Sequence, residues 1–256
     1  MSGRLDIVGL GPGRAGLVTP EACAALEAAQ ALYGYAPYLA RIAPRAGQAV
    51  HASDNRVERD RAAAALAAAA AGQRVAMVSG GDPGVFAMAA AVCEMVEEGP
   101  PAWRALDVAV HPGITAMLAL AARTGAPLGH DFCAISLSDN LKPWPTVEAR
   151  LRAAAGAGFV IALYNPMSRA RPWQLGAAFE ILRSVLPGRV PVVFGRAVMR
   201  EDEAITVTTL AAADPTRADM ATCLLVGSEA TRLVERSGLP PLVYTPRGYP
   251  PGSAPA

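Results

Sequence analysis

Short runs of aliphatic and β-branched residues that stop at glycine–proline clusters recur down this chain, and that recurrence constrains its fold more than any other feature. Residues 5–10 run into Gly9-Leu-Gly11-Pro12-Gly13, residues 74–79 into Gly80-Gly81-Asp82-Pro83-Gly84, and residues 106–110 into His111-Pro112-Gly113. Alanine-rich helical segments lie between them. One begins at Thr19, where Thr-Pro-Glu supplies an N-cap, a proline at the first helical position and an acid in the first turn. A second runs through 62–71, with Asp54 as its expected cap and Gly72 as its stop; others are expected over 85–98 and 115–123. A β-α-β-α series of this kind predicts a parallel-type sheet covered by helices on both faces. The loops at 80–84 and 111–115 are expected to sit side by side at the strand ends.

The second half keeps the style with different punctuation. Strands are expected at 159–164, 190–194, 204–208 and 222–226, and helices at 147–155 and 172–186. Several of these strands are joined by short turns, which points to a mixed sheet. The fold class is therefore α/β, in two α/β domains spanning 1–113 and 114–240 with a hinge near 112–115. The Pro/Gly-rich segment 241–256, with Pro240 before it, reads as a tail.

Composition narrows the function classes. Of 256 residues, 52 % are hydrophobic and 18 % charged, as in a globular chain. A formal charge of +1 argues against a broad basic face for nucleic acid. The uncharged stretches around 108–122 and 153–168 are broken by His-Pro-Gly and Asn-Pro, short of the ~20 apolar residues of a membrane span. The first residues lack a signal-peptide pattern, so a cytoplasmic setting is expected. Cys23, Cys93, Cys133 and Cys223 form no C-x-x-C pair; they read as small buried hydrophobes in a reducing compartment, with no metal site. His51 and His130 stand in no hydrolase-triad or metal-ligand context, and no P-loop string occurs.

Five loops carry the candidate chemistry. Gly11-x-Gly13-x-x-Gly16 matches the dinucleotide fingerprint as a string, yet Pro12 removes an N–H from the turn and the helix waits until Thr19. No acid ends a second strand about 20 residues on, so a nicotinamide dehydrogenase is disfavoured. Asp82, in the second loop, either caps a helix or meets an amine or hydroxyl. Thr115 is expected to cap the helix after the third. The fourth loop, residues 136–144, packs Ser136, Ser138, Asp139, Asn140, Lys142 and Trp144 together, and Lys142 is the one lysine among 23 basic residues. The fifth, residues 164–173, offers Arg169 and Arg171 beside Tyr164 and Trp173, which suits a flat, carboxylate-bearing ligand.

Taken in order, GLGPG (9–13), GGDPGVF (80–86), PGITA (112–116), YNP (164–166) and GRA (195–197) resemble the tetrapyrrole methylase family over about residues 4–232. The resemblance implies the class III methyltransferase fold, two α/β domains with S-adenosylmethionine folded into the cleft between them. It implies cofactor contacts at Pro12, Gly80, Gly81, Asp82, Val85, Thr115, Ala116, Asn165 and Ala197, with Gly11 and Gly13 bordering the substrate trough. Related members carry an aliphatic residue where this chain has His111, and Asn165 replaces the methionine of the uroporphyrinogen members. No metal cofactor is implied, and a homodimer is expected.

Within the family, SLSDNLKPW (136–144) and the YNP-S-R-x-R-PWQL stretch (164–175) are similar to the members that methylate precorrin-3B at C17 with ring contraction, in cobalamin biosynthesis. That reaction wants a base for the C20 hydroxyl and a cation for the carboxylate released from the ring-A lactone. The resemblance makes Asp139 the candidate base, Lys142 the carboxylate partner and His130 the reserve base. Ser138, Asn140, Arg169 and Arg171 become candidate contacts to the acidic macrocycle. The competing readings are a corrin methylase acting at another carbon, a cobalt-loaded substrate, and a noncatalytic tetrapyrrole- or nucleotide-binding module.

Overall fold

The computed structural model describes residues 3–54, 57–168 and 170–248. The chain folds as two compact units that meet along the sequence between Thr115 and Ala116.

In the first unit the order is β1 (Arg4–Gly9), α1 (Pro20–Ala28), β2 (Ala31–Tyr35), α2 (Ala36–Leu39), β3 (Ala49–Ser53), α3 (Glu58–Ala70), β4 (Arg74–Ser79), α4 (Met88–Glu98) and β5 (Asp107–His111). All five strands are parallel, in the order β3-β2-β4-β1-β5. Strand period two sorts their side chains into two cores. Leu5 and Ile7 of β1 join Tyr33, Val75 and Met77 under α3 and α4. Val8 and Leu10 join Leu32, Ala76 and Val78 under α1 and α2. Both faces are thus dry, which is why β4 reads as a continuous apolar run and β1 as one broken only by Asp6.

Although β1 lies between β4 and β5 in the sheet, the 80–84 and 111–115 loops do meet beyond the strand ends, where Gly113 N donates to the Asp82 carboxylate at 3.0 Å. No local signal marks β3, an edge strand exposed over its first four residues, whose AVHAS carries no alternation to read. β2 is short and interrupted by Gly34. Thr19 caps α1, accepting from the Ala22 N–H at 3.2 Å. Asp54 does not cap α3: the cap position is Val57, and the Asp54 carbonyl instead accepts from Arg61 at 2.6 Å.

The second unit holds α5 (Ala116–Thr124), β6 (Gly125–Ala126), β7 (Phe132–Ser136), α6 (Trp144–Gly156), β8 (Val160–Tyr164), α7 (Gln174–Arg183), β9 (Pro191–Arg196), β10 (Ala204–Thr209), β11 (Thr222–Val226), β12 (Arg232–Arg236) and β13 (Leu239–Tyr244). Its main sheet, β10-β9-β11-β8-β7, is mixed, with only β7 and β8 parallel. Leu151, Leu175, Phe179 and Leu182 from α6 and α7 cover one face, over Ile161, Leu163, Phe194 and Leu224. Helix α5 packs on β11.

A small sheet, β12-β13-β6, takes in part of the segment expected to be a tail. Pro240 and Pro241 are tolerated there because the β12 pairing is irregular around Val234–Arg236, so a missing N–H costs no regular ladder bond. The cysteines also depart from expectation. Cys23 and Cys93 are exposed, Cys133 is half-buried and only Cys223 is buried. A thiol on an alanine-rich helix is small enough to sit outward as easily as alanine does. Among the described residues no helix is long and apolar enough to cross a membrane.

Candidate active site

The three glycine-rich loops of the first unit are laced together by backbone. Gly11 and Gly81 exchange N–H···O bonds of 3.1 and 3.0 Å, bridging the ends of β1 and β4. Gly11 and Gly81 both have positive φ, 62° and 65°, a conformation glycine adopts without penalty. Asp82 extends the lacing to the third loop. One carboxylate oxygen accepts from Gly84 N at 2.8 Å and the other from Gly113 N at 3.0 Å. Asp82 therefore caps no helix, since α4 begins at Met88 with Ala87 at its cap. It holds the β4 and β5 loops in register.

Arg41, which the sequence reading passed over, secures the first loop. Its guanidinium donates to the carbonyls of Leu10 at 2.8 Å and of Gly11 and Gly13 at 3.2 Å each. Tyr38 closes against Gly80 so tightly that a Cβ there would lie 2.7 Å from its ring. Pro12 and Thr115 are buried, while Gly13, Gly80, Gly81, Asp82 and Val85 are partly exposed.

His111 has a local explanation. Its Nε2 lies 2.8 Å from Asp6 Oδ1, and both side chains are buried. Asp6 also pairs with Arg4 at 2.8 Å. An acid in the middle of β1 needs a partner when desolvated, and His111, two residues beyond its register partner Ala109 on β5 and so on the same face, supplies it. An alternating strand pattern with one acid inside it was the available signal.

In the second unit the two polar loops form one structure. Ser136 ends β7, and its hydroxyl accepts from Asn165 Nδ2 at 2.9 Å and from Ser138 N at 3.3 Å. The Tyr164 hydroxyl accepts from Met117 N at 2.9 Å, which ties the start of α5, and hence Ala116, to the end of β8. Trp144 and Trp173 meet edge to face with centroids 4.8 Å apart. Gln174 is almost fully buried and donates through Nε2 to both oxygens of Asp139, at 3.2 and 3.1 Å. Lys142 is half-buried; desolvation, followed by the charge of Arg150, lowers its ammonium below the usual lysine range. Asn140 is exposed, and Arg171 donates to the Asn165 carbonyl at 3.4 Å.

Backbone strain marks two of the same positions. Asn165 (φ 51°) and Ala197 (φ 47°) are non-glycine residues in the left-handed region, as are Phe86 (52°) and Met199 (64°). Such conformations cost of order 1–3 kcal/mol each and persist only where their surroundings impose them. Around Ala197 the surroundings are plain: its N–H donates to Ala221 O at 3.0 Å, and Arg196 beside it pairs with Asp202 and Asp219 at 2.8 and 2.7 Å. Asn165 follows β8 and Ala197 follows β9, strands separated in the sheet by β11; Asn165 is exposed, whereas Ala197 is buried.

The structure separates His130 from the rest. It precedes β7, whereas Asp139 follows it, so the five-residue strand, about 3.3 Å per residue, lies between them. His130 Nδ1 accepts from the Asp131 N–H at 2.7 Å. Arg169 lies outside the described residues. Among those described, no group of His, Cys, Asp and Glu side chains is arranged to hold a metal ion.

In each unit the strand-end loops bring together backbone groups and small residues, and in the second unit the half-buried Lys142 joins them. Residues 4–214 match the model of the Tetrapyrrole (Corrin/Porphyrin) Methylases, and the chain belongs to that family. It is 65 % identical, over 97 % of its length and 98 % of the relative's, to the precorrin-3B C(17)-methyltransferase of Sinorhizobium sp. It is 40 % identical to the probable cobalt-factor III C(17)-methyltransferase of Salmonella typhimurium, over 96 % of this chain and 99 % of that one. The crystal structure of the methyltransferase CobJ superposes with a TM-score of 0.91 at 54 % identity, covering 96 % of this chain and all of that one.

Proposed function

We propose that this protein transfers a methyl group from S-adenosylmethionine to C17 of precorrin-3B, with contraction of the macrocycle, as a step of cobalamin biosynthesis. The observation that carries the reading is the joining of the 136–144 and 164–175 segments into one network through Ser136, Asn165, Asp139 and Gln174. The identity of 65 % to a relative named for that reaction supports the same assignment.

Bound S-adenosylmethionine supplies an activated methyl on a sulfonium, so the protein's task is alignment rather than covalent catalysis. Positioning of that kind is worth about 7–11 kcal/mol. The residues fit such a ligand. Gly80 and Gly81 carry no side chain, and Asn165 and Ala197 hold left-handed backbone at strand ends of the second unit. Pro12, Asp82, Val85, Thr115 and Ala116 complete the proposed contacts. Gly11 and Gly13 border the macrocycle, whose carboxylates are received by Arg169, Arg171, Ser138 and Asn140.

Asp139 is the proposed base for the C20 hydroxyl proton, and Lys142 receives the carboxylate freed when the lactone opens. The desolvated Lys142 ammonium has no ion pair among the described residues, so a carboxylate arriving there gains a charge-assisted bond without displacing one. We further propose a cytoplasmic homodimer; light scattering tests the stoichiometry.

The deciding experiment is anaerobic incubation with S-adenosylmethionine and precorrin-3B, with mass spectrometry and NMR of the product. One added methyl at C17 and a contracted ring bearing an acetyl group is the expected result. A methyl elsewhere on an intact ring would overturn the assignment while keeping the family. A parallel incubation with the cobalt-loaded substrate separates the two C17 reactions, and faster turnover of the metal-free substrate is expected. Asp139→Asn that retains full contraction would remove Asp139 as the base.

A further inference from the structure

We propose that Gln174 is a positioning residue that fixes the orientation and proton affinity of Asp139, and that its neutral amide is chosen because it can pair with that carboxyl in both protonation states. The inference rests on the proposed role of Asp139 and deepens it.

The geometry has three parts. Gln174 is 1 % exposed at the first position of α7, so its side chain is held by packing. Its Nε2 lies within 3.2 Å of both oxygens of Asp139, a fork that fixes the carboxylate plane. The assignment of nitrogen to that side follows from chemistry, because an ionised carboxylate only accepts. Its Oε1 is buried with no hydrogen-bond partner. An orphaned acceptor next to a carboxyl is costly while that carboxyl is ionised. Once Asp139 has taken a proton from substrate it becomes an O–H donor, and a half-turn of the Gln174 amide then presents Oε1 to receive that hydrogen bond.

A guanidinium or ammonium at residue 174 would hold the carboxylate as firmly but only when ionised, since neither cation can accept. It would also oppose proton uptake by its charge. The amide holds the group in place and leaves it able to act as a base. The other charged groups carried by these loops and by the adjoining α6 are Lys142, Arg169, Arg171, Glu148, Arg150 and Arg152; Glu148 is paired with Arg152 at 2.9 Å, and the remainder are cations, which favour the ionised form. That setting makes a neutral partner for Asp139 the more consequential.

Two variants of the full-length protein test this, Gln174→Met and Gln174→Glu. Met keeps the volume and removes the fork. Glu keeps the shape and sets a second carboxyl against the first, so that one proton is shared between them. The readouts are the acid limb of the kcat–pH profile, the KM for S-adenosylmethionine, and the titration of the Asp139 carboxyl by carbon-13 NMR, its resonance assigned by its loss in Asp139→Asn. Loss of the fork should move the Asp139 titration up in Gln174→Met, because the ionised form loses the two hydrogen bonds it accepts. The shift should be larger in Gln174→Glu, and KM should stay unchanged. An Asp139 titration unmoved in either folded variant overturns the proposal. If the titration moves and the acid limb does not, the role of Gln174 stands and the assignment of Asp139 as base is what fails.

Discussion

Replacing Gly113 with alanine tests the lacing of the first unit's loops most directly. Its φ raises no obstacle to a side chain, so the only objection is space. A Cβ there would stand 2.2 Å from the Gly81 carbonyl oxygen, 3.0 Å from Gly9 C and 3.1 Å from Gly11 N. Ordinary contact begins at 3.4 Å, so the third loop must retreat by about 1 Å from backbone that cannot yield as a flexible side chain would. Overpacking of that kind costs about 1–3 kcal/mol. The retreat also stretches the 3.0 Å bond from Gly113 N to the Asp82 carboxylate beyond hydrogen-bond range, at about 1.5–3 kcal/mol for a bond to a charged group. Together the first unit should lose about 3–5 kcal/mol, a large share of the stability of a single domain. Urea unfolding followed by a probe in the first unit measures it, with Gly16→Ala as the control because a Cβ at Gly16 meets nothing within 4 Å. S-adenosylmethionine affinity by calorimetry should fall more than tenfold in Gly113→Ala and stay level in Gly16→Ala. If the two variants unfold within about 0.5 kcal/mol of each other, the loops are not in the contact described and the reasoning fails.

Other expectations follow from single features. Arg41→Met leaves three loop carbonyls without their shared cation, and denaturation should register a loss of about 1.5–3 kcal/mol; no change would mean that solvent replaces the guanidinium freely. Thr19→Ala should cost about 1 kcal/mol through the lost cap, read in the same assay. Burial pushes the Cys223 thiol up to about 12, whereas Cys23 and Cys93 are exposed. Alkylation at pH 8 followed by peptide mass spectrometry should therefore mark Cys23 and Cys93 and spare Cys223 until the protein unfolds; early labelling of Cys223 would contradict the packing of β11. The same thiol gives a sign for stability against pH. Between the ordinary value of 9.0 and about 12 the unfolded chain releases a proton that the folded chain keeps, so its contribution is full below that window and is lost as pH rises through it. Charge reversal at Arg171 should raise the KM for the macrocycle without changing that for S-adenosylmethionine, and equal effects on both would place it elsewhere.

What the sequence determined by itself was local. Apolar runs such as VAMV and VIAL, ending at glycine and proline, fixed the strands that are buried on both faces, because burial leaves a continuous apolar signature. Thr19-Pro20-Glu21 fixed the start of α1, since capping chemistry is read within one turn. The glycine loops were visible as strings, and with them the positions where backbone comes close to backbone. What the chain could not declare were relations between distant residues. The edge strand β3 has no buried face to impose a pattern. Asp82 could be read either as a helix cap or as a ligand contact, whereas one of its actual partners, Gly113 N, lies at another strand end. His111 and Asp6 meet only because β1 and β5 are neighbours in the sheet. The order β3-β2-β4-β1-β5, which puts the first glycine loop between the other two, depends on crossover connections that no short window contains. The same holds for Gln174: its buried amide acquires a meaning only when the fold brings Asp139, 35 residues earlier, against it. Side chains whose energy is set by neighbours along the chain were fixed by sequence, and those set by long-range pairing of buried polar groups were decided by the tertiary structure.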